Sequence, residues 1–330
     1  MTLIVAVVVL ALIFDYTNGF HDSANAVATS ISTRAVPPNL ALAAAALLNI
    51  AGALASTHVA ATVAKGIVNP EAVLPAVLLG GLGGAIFWNL VTWWWALPNS
   101  SSHCLIGGMT GAVLGTQGAR NVHWTTIVHK VLLPTVAAPL VGFAVGIVIM
   151  LALLWIFRSV HPGTANRRFR LAQTVSASIV AFAHGSNDAQ KTMGVIALAL
   201  YSGHLIKAPD AIPIWVKIAA AAAIGAGTYA GGKRIIRTLG MRLVKLQPVQ
   251  GFAAETAASS VLMGTALLGF PVSTTHVITS SIMGVGATQR LSAVKWGLSM
   301  NIFVAWIVTL PVAGLVGAGF ARLAMAILHQ

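Results

Sequence analysis

"HGSNDAQKTM", residues 184–193, interrupts an apolar run, and its like occurs once before in the chain as "NGFHDSANAV", residues 18–27. The alignment pairs Gly19 with Gly185, His21 with Asn187, Asp22 with Asp188 and Asn25 with Lys191. A second pair of polar islands follows in the same order: "LPNSSSHCLIGG" (97–108) and "FPVSTTHVITSS" (270–281), which matches Pro98 with Pro271 and His103 with His276. Two matched islands in matched order mark a duplicated chain. The repeats are 1–157 and 172–330, joined by a basic linker, 158–171.

The surroundings set the solvent. Of 330 residues, 57% are hydrophobic and only 8% charged, where a soluble domain carries about 25% charged residues. Apolar stretches such as 40–63, 73–97, 131–157 and 296–328 reach the roughly 20 residues that cross a bilayer. The expected architecture is an all-α, multi-pass membrane protein. The N-terminus lacks a basic region and a small-residue cleavage site, so the first helix is expected to stay. Cys104, the single cysteine, leaves no intramolecular disulfide and no multi-cysteine metal site.

The net charge of +13 gathers in two clusters, Arg158–Arg170 and Lys233–Lys245. Both are expected on the cytoplasmic side, in contact with anionic lipid. Neither carries the aromatic or base-reading residues of a nucleic-acid site, so nucleic acid is excluded as a partner. Of six acidic residues, Glu71 and Asp210 sit beside prolines in loops. Asp15, Asp22, Asp188 and Glu255 fall in or beside apolar segments, where a carboxylate marks a site or pathway. Asp15, one turn before the first island, reads as structural.

Each island combines helix-interrupting residues with cap formers, which predicts four helix N-termini within the membrane, at Asp22, Asn187, Ser100–Ser102 and Ser273–Thr275. Such termini present free N–H groups and about half a positive charge, and so suit an anion. The hydroxyls of Ser101, Ser102, Ser273, Thr274 and Thr275 add uncharged donors, and Asn25, Asn187 and Lys191 orient and neutralise. Together these describe a cradle for an oxyanion. Asp22 and Asp188 beside a divalent oxyanion total minus four, which Lys191 reduces to minus three. Like charges a few Å apart repel by several kcal/mol even at an effective dielectric near 20. The anion therefore needs a companion: a proton, a sodium ion, or a metal already bound to it. Asp22, Asp188, Glu255 and His21 are the candidate groups for that cation or proton. His103 and His276 are either hydrogen-bond partners or proton carriers.

These residues resemble the inorganic phosphate transporter family, whose duplicated signature G-x-N-D-x-x-N-A is approximated by "GFHDSANA" (19–26) and "GSNDAQKT" (185–192); "GFAAE" (251–255) adds to the likeness. The resemblance implies two inverted repeats with broken helices and re-entrant helical hairpins, phosphate bound between them, a homodimer, and a bacterial inner membrane. It implies that Asp22, Asn25, Asp188 and both hydroxyl runs line the phosphate and cation sites. His21 and Lys191 stand where the signature has Asn, and the lysine favours protons or a metal–phosphate complex over sodium. The reading is a symporter, not an enzyme, with no cofactor and no resident metal. Its rivals are a sulfate permease of the same fold and an intramembrane metalloenzyme using His21, Asp22, His103, His184, Asp188 and His276.

Overall fold

The computed structural model describes residues 1–71 and 73–329. The first half contributes α1 (Thr2–Ser32), α2 (Pro38–Ala55), α3 (His58–Gly66), α4 (Pro75–Trp94), α5 (Ser101–Thr116) and α6 (Trp124–Ile156), the last with a π-turn at 127–132. The second half repeats the series as α7 (Pro162–Ser202), α8 (Ile214–Ala230), α9 (Lys233–Leu243), α10 (Pro248–Leu267), α11 (Thr274–Ala287) and α12 (Trp296–Leu328). Among the described residues no strand forms; a single bridge joins Val68 and Val122. Proline sets several starts: Pro38, Pro75, Pro162 and Pro248 occupy the first turn of their helices, where the missing N–H removes no bond.

Among the described residues, five helices are long and apolar enough to cross a membrane: α1, α2, α4, α6 and α12. The pair α8 and α9, bent by 59° at Gly231, adds a sixth span if it is one unit. The left-handed φ of Gly231, +71°, allows that bend. The apolar stretch 40–63 is likewise split, at Ser56–Thr57, into α2 and α3. The linker is a loop only to His161; from Pro162 onward its residues form the first turns of α7.

Exchange of the two halves leaves the packing unchanged. Helix α1 lies on α8, α9 and α4, while α7 lies on α2, α3 and α10. Similarly α5 packs on α12, and α11 on α6. The repeats are thus interleaved rather than side by side, and each signature helix rests on short helices of the other half.

The signature segments do not break. Both α1 and α7 run through them as unbroken helices of 31 and 41 residues, so two of the four expected intramembrane N-termini are missing. Their glycines serve a different need. A Cβ on Gly19 would lie 2.3 Å from the carbonyl oxygen of Ile224 on α8, and one on Gly185 2.1 Å from that of Asn49 on α2. Glycine lets crossing backbones touch at both points, and the helix continues through its polar residues packed against the other half. The other two N-termini are present. Ser100 and Ser273 are the N-caps of α5 and α11, their hydroxyls accepting from the N–H of His103 and His276 at 3.1 and 3.2 Å.

Candidate functional site

The two signature helices and the two capped N-termini meet in the protein interior. Asp22 on α1 accepts from Ser101 Oγ of α5 at 2.8 Å and, on its other oxygen, from Thr275 Oγ1 of α11 at 3.4 Å. Asp188 on α7 accepts from Thr274 Oγ1 at 3.0 Å. One turn further along, Asn25 Nδ2 donates to Thr275 Oγ1 at 2.8 Å and Thr274 Oγ1 at 3.3 Å. Its repeat partner Lys191 donates to Ser102 Oγ, to the carbonyl of Val272 at 3.1 Å, and to Asp188. The pattern is two-fold: each Asp takes the first hydroxyl of its own repeat, and each i+3 residue takes the second hydroxyl of the other. The i to i+3 spacing puts both on one helix face.

One carboxylate oxygen of Asp22, one of Asp188 and a ring nitrogen of His184 lie within 4.8 Å of one another. Carboxylates that close repel by about 3–4 kcal/mol at an effective dielectric near 20. Lys191 offsets one charge, and the remaining negative charge, with His184 Nε2 3.0 Å from Asp188 Oδ2, makes a place for a cation or a proton. His184 is in turn held by Asn49 Oδ1, 3.0 Å from its Nδ1, and Asn49 donates to Thr228 at 2.8 Å. His21 Nδ1 lies 2.7 Å from Asp22, and Nε2 3.4 Å from Thr92 of α4. Asp22, Asn25, Ser101, Ser102, Asp188, Lys191, Thr274 and Thr275 are each at most 2% exposed. The centre is closed to both sides.

Other expected residues stand apart. Ser273 is engaged as a cap rather than aimed at the centre. Glu255 on α10 accepts from Thr29, Gln173 and Ser176; Thr29 lies seven residues beyond Asp22, about 10 Å along α1. It forms a second buried polar cluster. His103 and His276 face away: their rings meet edge to face at 4.8 Å, His276 stacks on Trp306 at 3.9 Å, and His103 Nε2 lies 2.8 Å from Thr135 Oγ1. They join α5 and α11 to α6 and α12. Asn187 is fully buried, and neither its amide nitrogen nor its oxygen has a partner.

One residue beside the centre has no signal of its own in the sequence, and two others stand closer to the centre than their reading as a structural acid or a rival metal ligand requires. Gln190 caps α3, its Oε1 accepting from the N–H of Val59 and Ala60 at 2.9 and 3.3 Å, much as Ser23 Oγ accepts from Gly232 at 2.8 Å ahead of α9. Asp15, read as structural, is fully buried and within electrostatic reach of Asp188 and Lys191. His184 was seen only as a possible metal ligand, although its place four residues before Asp188 put it on the same face.

Known proteins share the sequence and the fold. The sequence pattern described as "Phosphate transporter family" matches residues 18–317. A protein of Rhizobium meliloti is 45% identical over 96% of this chain and 95% of its own, and one of Bacillus subtilis 40% identical over 96% of each. One of Mycobacterium tuberculosis is 48% identical over 96% of this chain and 76% of its own. All three carry the description "Probable low-affinity inorganic phosphate transporter". A solved structure described as "The sodium-dependent phosphate transporter" superposes with a TM-score of 0.87 at 25% identity, over 99% of this chain and 100% of that one.

Proposed function

This chain belongs to the phosphate transporter family, and from that premise we propose that it is a symporter which moves inorganic phosphate with a proton through the centre formed by α1, α5, α7 and α11. It is a multi-pass membrane transporter of phosphate; the coupling ion and the residue roles are the proposal. The observation that carries it is the convergence of Asp22 and Asp188 within 4.8 Å at two helix N-termini that favour anions.

Phosphate would enter by replacing contacts that the protein makes with itself. The hydroxyls of Ser101, Ser102, Thr274 and Thr275 would be joined as donors by the first-turn N–H groups of α5 and α11 that the Ser100 and Ser273 caps leave free, which have no intrahelical acceptor to lose. Ser101 would turn from Asp22 and Ser102 from Lys191 to donate to phosphate oxygens. Asp22 and Asp188, released from those hydroxyls, would accept the hydroxyl protons of the protonated phosphate or a co-transported proton. Lys191 already occupies one cation's place beside Asp188, which is why a proton rather than sodium is proposed. Asn25, through its unpartnered Oδ1, and Asn187, through its free amide, are further polar groups for the guest. Glu255, in its separate cluster, would serve the coupling proton rather than the phosphate. Movement of the elements that bear the two signature helices relative to α5 and α11 would open the closed centre to alternate sides.

Protonated phosphate can donate a hydrogen bond to Asp22 or Asp188, and fully ionised sulfate cannot. Labelled-phosphate counterflow in proteoliposomes is therefore expected to resist a ten-fold excess of sulfate. Equal competition by sulfate would refute the substrate assignment of the centre. A homodimer in the bilayer, with the exposed apolar faces of α6 and α12 against lipid or the second copy, completes the proposal; gel filtration with light scattering tests it.

A further inference from the structure

The two repeats build the same loop pair, and only one copy is strongly charged. In the first, the N–H of His123 donates to Ile67 O at 3.0 Å and that of Trp124 to Val122 O at 3.0 Å; the Trp124 indole donates to Ala119 O at 3.1 Å. In the second, Lys295 donates to Leu243 O at 3.1 Å and Trp296 to Val294 O at 3.0 Å; the Trp296 indole donates to Leu291 O at 2.8 Å. Matched on these bonds, Arg242, Lys245, Arg290 and Lys295 stand where the first copy has Gly66, Asn69, Gly118 and His123. The scaffold does not require four cations, since its twin is built without them.

All four side chains line one cavity of about 590 Å³ between the α9–α10 and α11–α12 connections, and no carboxylate lines it. The first copy keeps acids at hand: Glu71 is in its loop, and Lys65 pairs with Asp210 at 2.6 Å. Lys295 is also the N-cap residue of α12, where a cation has the wrong sign for the helix dipole. Four like charges around one hollow, one of them against a dipole, are stabilised when an anion occupies the hollow. The surroundings suit a headgroup: Trp296, of the type that gathers at the membrane–water interface, follows Lys295, and Met241 on the cavity wall is 58% exposed.

We propose that this cavity is a second anion site, distinct from the transport centre and independent of its reading, which binds the phosphate group of an anionic phospholipid or free inorganic phosphate. The purified full chain would be tested by native mass spectrometry with added phosphatidylglycerol or phosphatidylcholine. Inorganic phosphate binding would be measured in parallel by equilibrium dialysis, the share of this cavity being the binding lost in the cavity variants relative to the unsubstituted protein. The paired variants R242Q/K245Q and R290Q/K295Q are each expected to weaken binding roughly ten-fold or more, as the loss of two cations facing an anion predicts. The variant R167Q/R168Q, which removes as much charge from the start of α7, is expected to leave it unchanged, and phosphatidylcholine to bind weakly throughout. Selective loss of the lipid identifies a headgroup, and selective loss of phosphate the free ion. If a paired variant elutes as aggregate, Lys245→Gln alone serves, with a smaller loss expected. Absence of binding by either probe to the unsubstituted cavity, or equal weakening in R167Q/R168Q, overturns the proposal.

Discussion

Replacing Lys191 with methionine isolates the charge balance of the centre. The side chain keeps its approximate length, but the ammonium that meets Asp188, Ser102 and the Val272 carbonyl is gone. Asp188 is fully buried, so it is left as an uncompensated charge, a change that costs about 3–5 kcal/mol when one partner of a buried pair is removed. The Asp22 carboxylate within 4.8 Å adds to that cost, because its repulsion of about 3–4 kcal/mol is no longer offset. The double variant D188N/K191M removes both charges while keeping an acceptor for Thr274. It is therefore expected to recover at least half of the lost stability. Unfolding of the purified variants in detergent, followed by intrinsic tryptophan fluorescence against denaturant, reads both numbers. A single variant within 1 kcal/mol of the unsubstituted protein, or a double variant no better than the single, refutes the reasoning.

Four further outcomes follow from the geometry. Gly19→Ala is expected to abolish monodisperse expression, because its Cβ would fall 2.3 Å from a backbone oxygen, whereas Gly264→Ala, where nothing lies within 4 Å, is expected to be silent by gel filtration. Ser273→Ala should lower stability by about 1 kcal/mol through loss of a cap and leave the substrate concentration for half-maximal uptake unchanged, while Thr274→Ala should raise that concentration. Ala96 holds a left-handed φ of +56° where its counterpart before α11 is Gly269 at +69°, so Ala96→Gly should raise the unfolding free energy by about 1 kcal/mol. Lys65 beside Asp210 lowers that carboxyl's pKa, so the pair's small contribution is present at neutral pH and fades as pH falls through the depressed value. At pH 7, Asp210→Asn should change stability by no more than about 0.5 kcal/mol, as for exposed pairs generally.

The duplication was legible because polar islands in apolar sequence are conspicuous, and the pairing of Asp22 with Asp188 and of Ser101–Ser102 with Thr274–Thr275 survives in space. The caps at Ser100 and Ser273 were legible because proline followed by hydroxyls has a local meaning. The continuity of α1 and α7 was not, since Gly19 and Gly185 signal a bend to local reasoning and a crossing only once Ile224 and Asn49 are known to lie against them. Ser273 could not be separated from Thr274 and Thr275, because which hydroxyl caps depends on where the helix starts, to one residue. Glu255 was grouped with the aspartates because it too lies in an apolar segment; its partners Thr29 of α1 and Gln173 and Ser176 of α7 come from two helices far from it in sequence. Interleaving of the repeats leaves no local signal at all, since it is a property of how α1 meets α8 and α7 meets α2.

The proposed coupling is tested most directly by labelled-phosphate uptake into proteoliposomes with an inward proton gradient and an inward sodium gradient imposed separately. Uptake should accelerate with the proton gradient, respond little to sodium, and fall to background in Asp22→Asn. Uptake that ignores both gradients, or that continues undiminished in Asp22→Asn, would contradict the account.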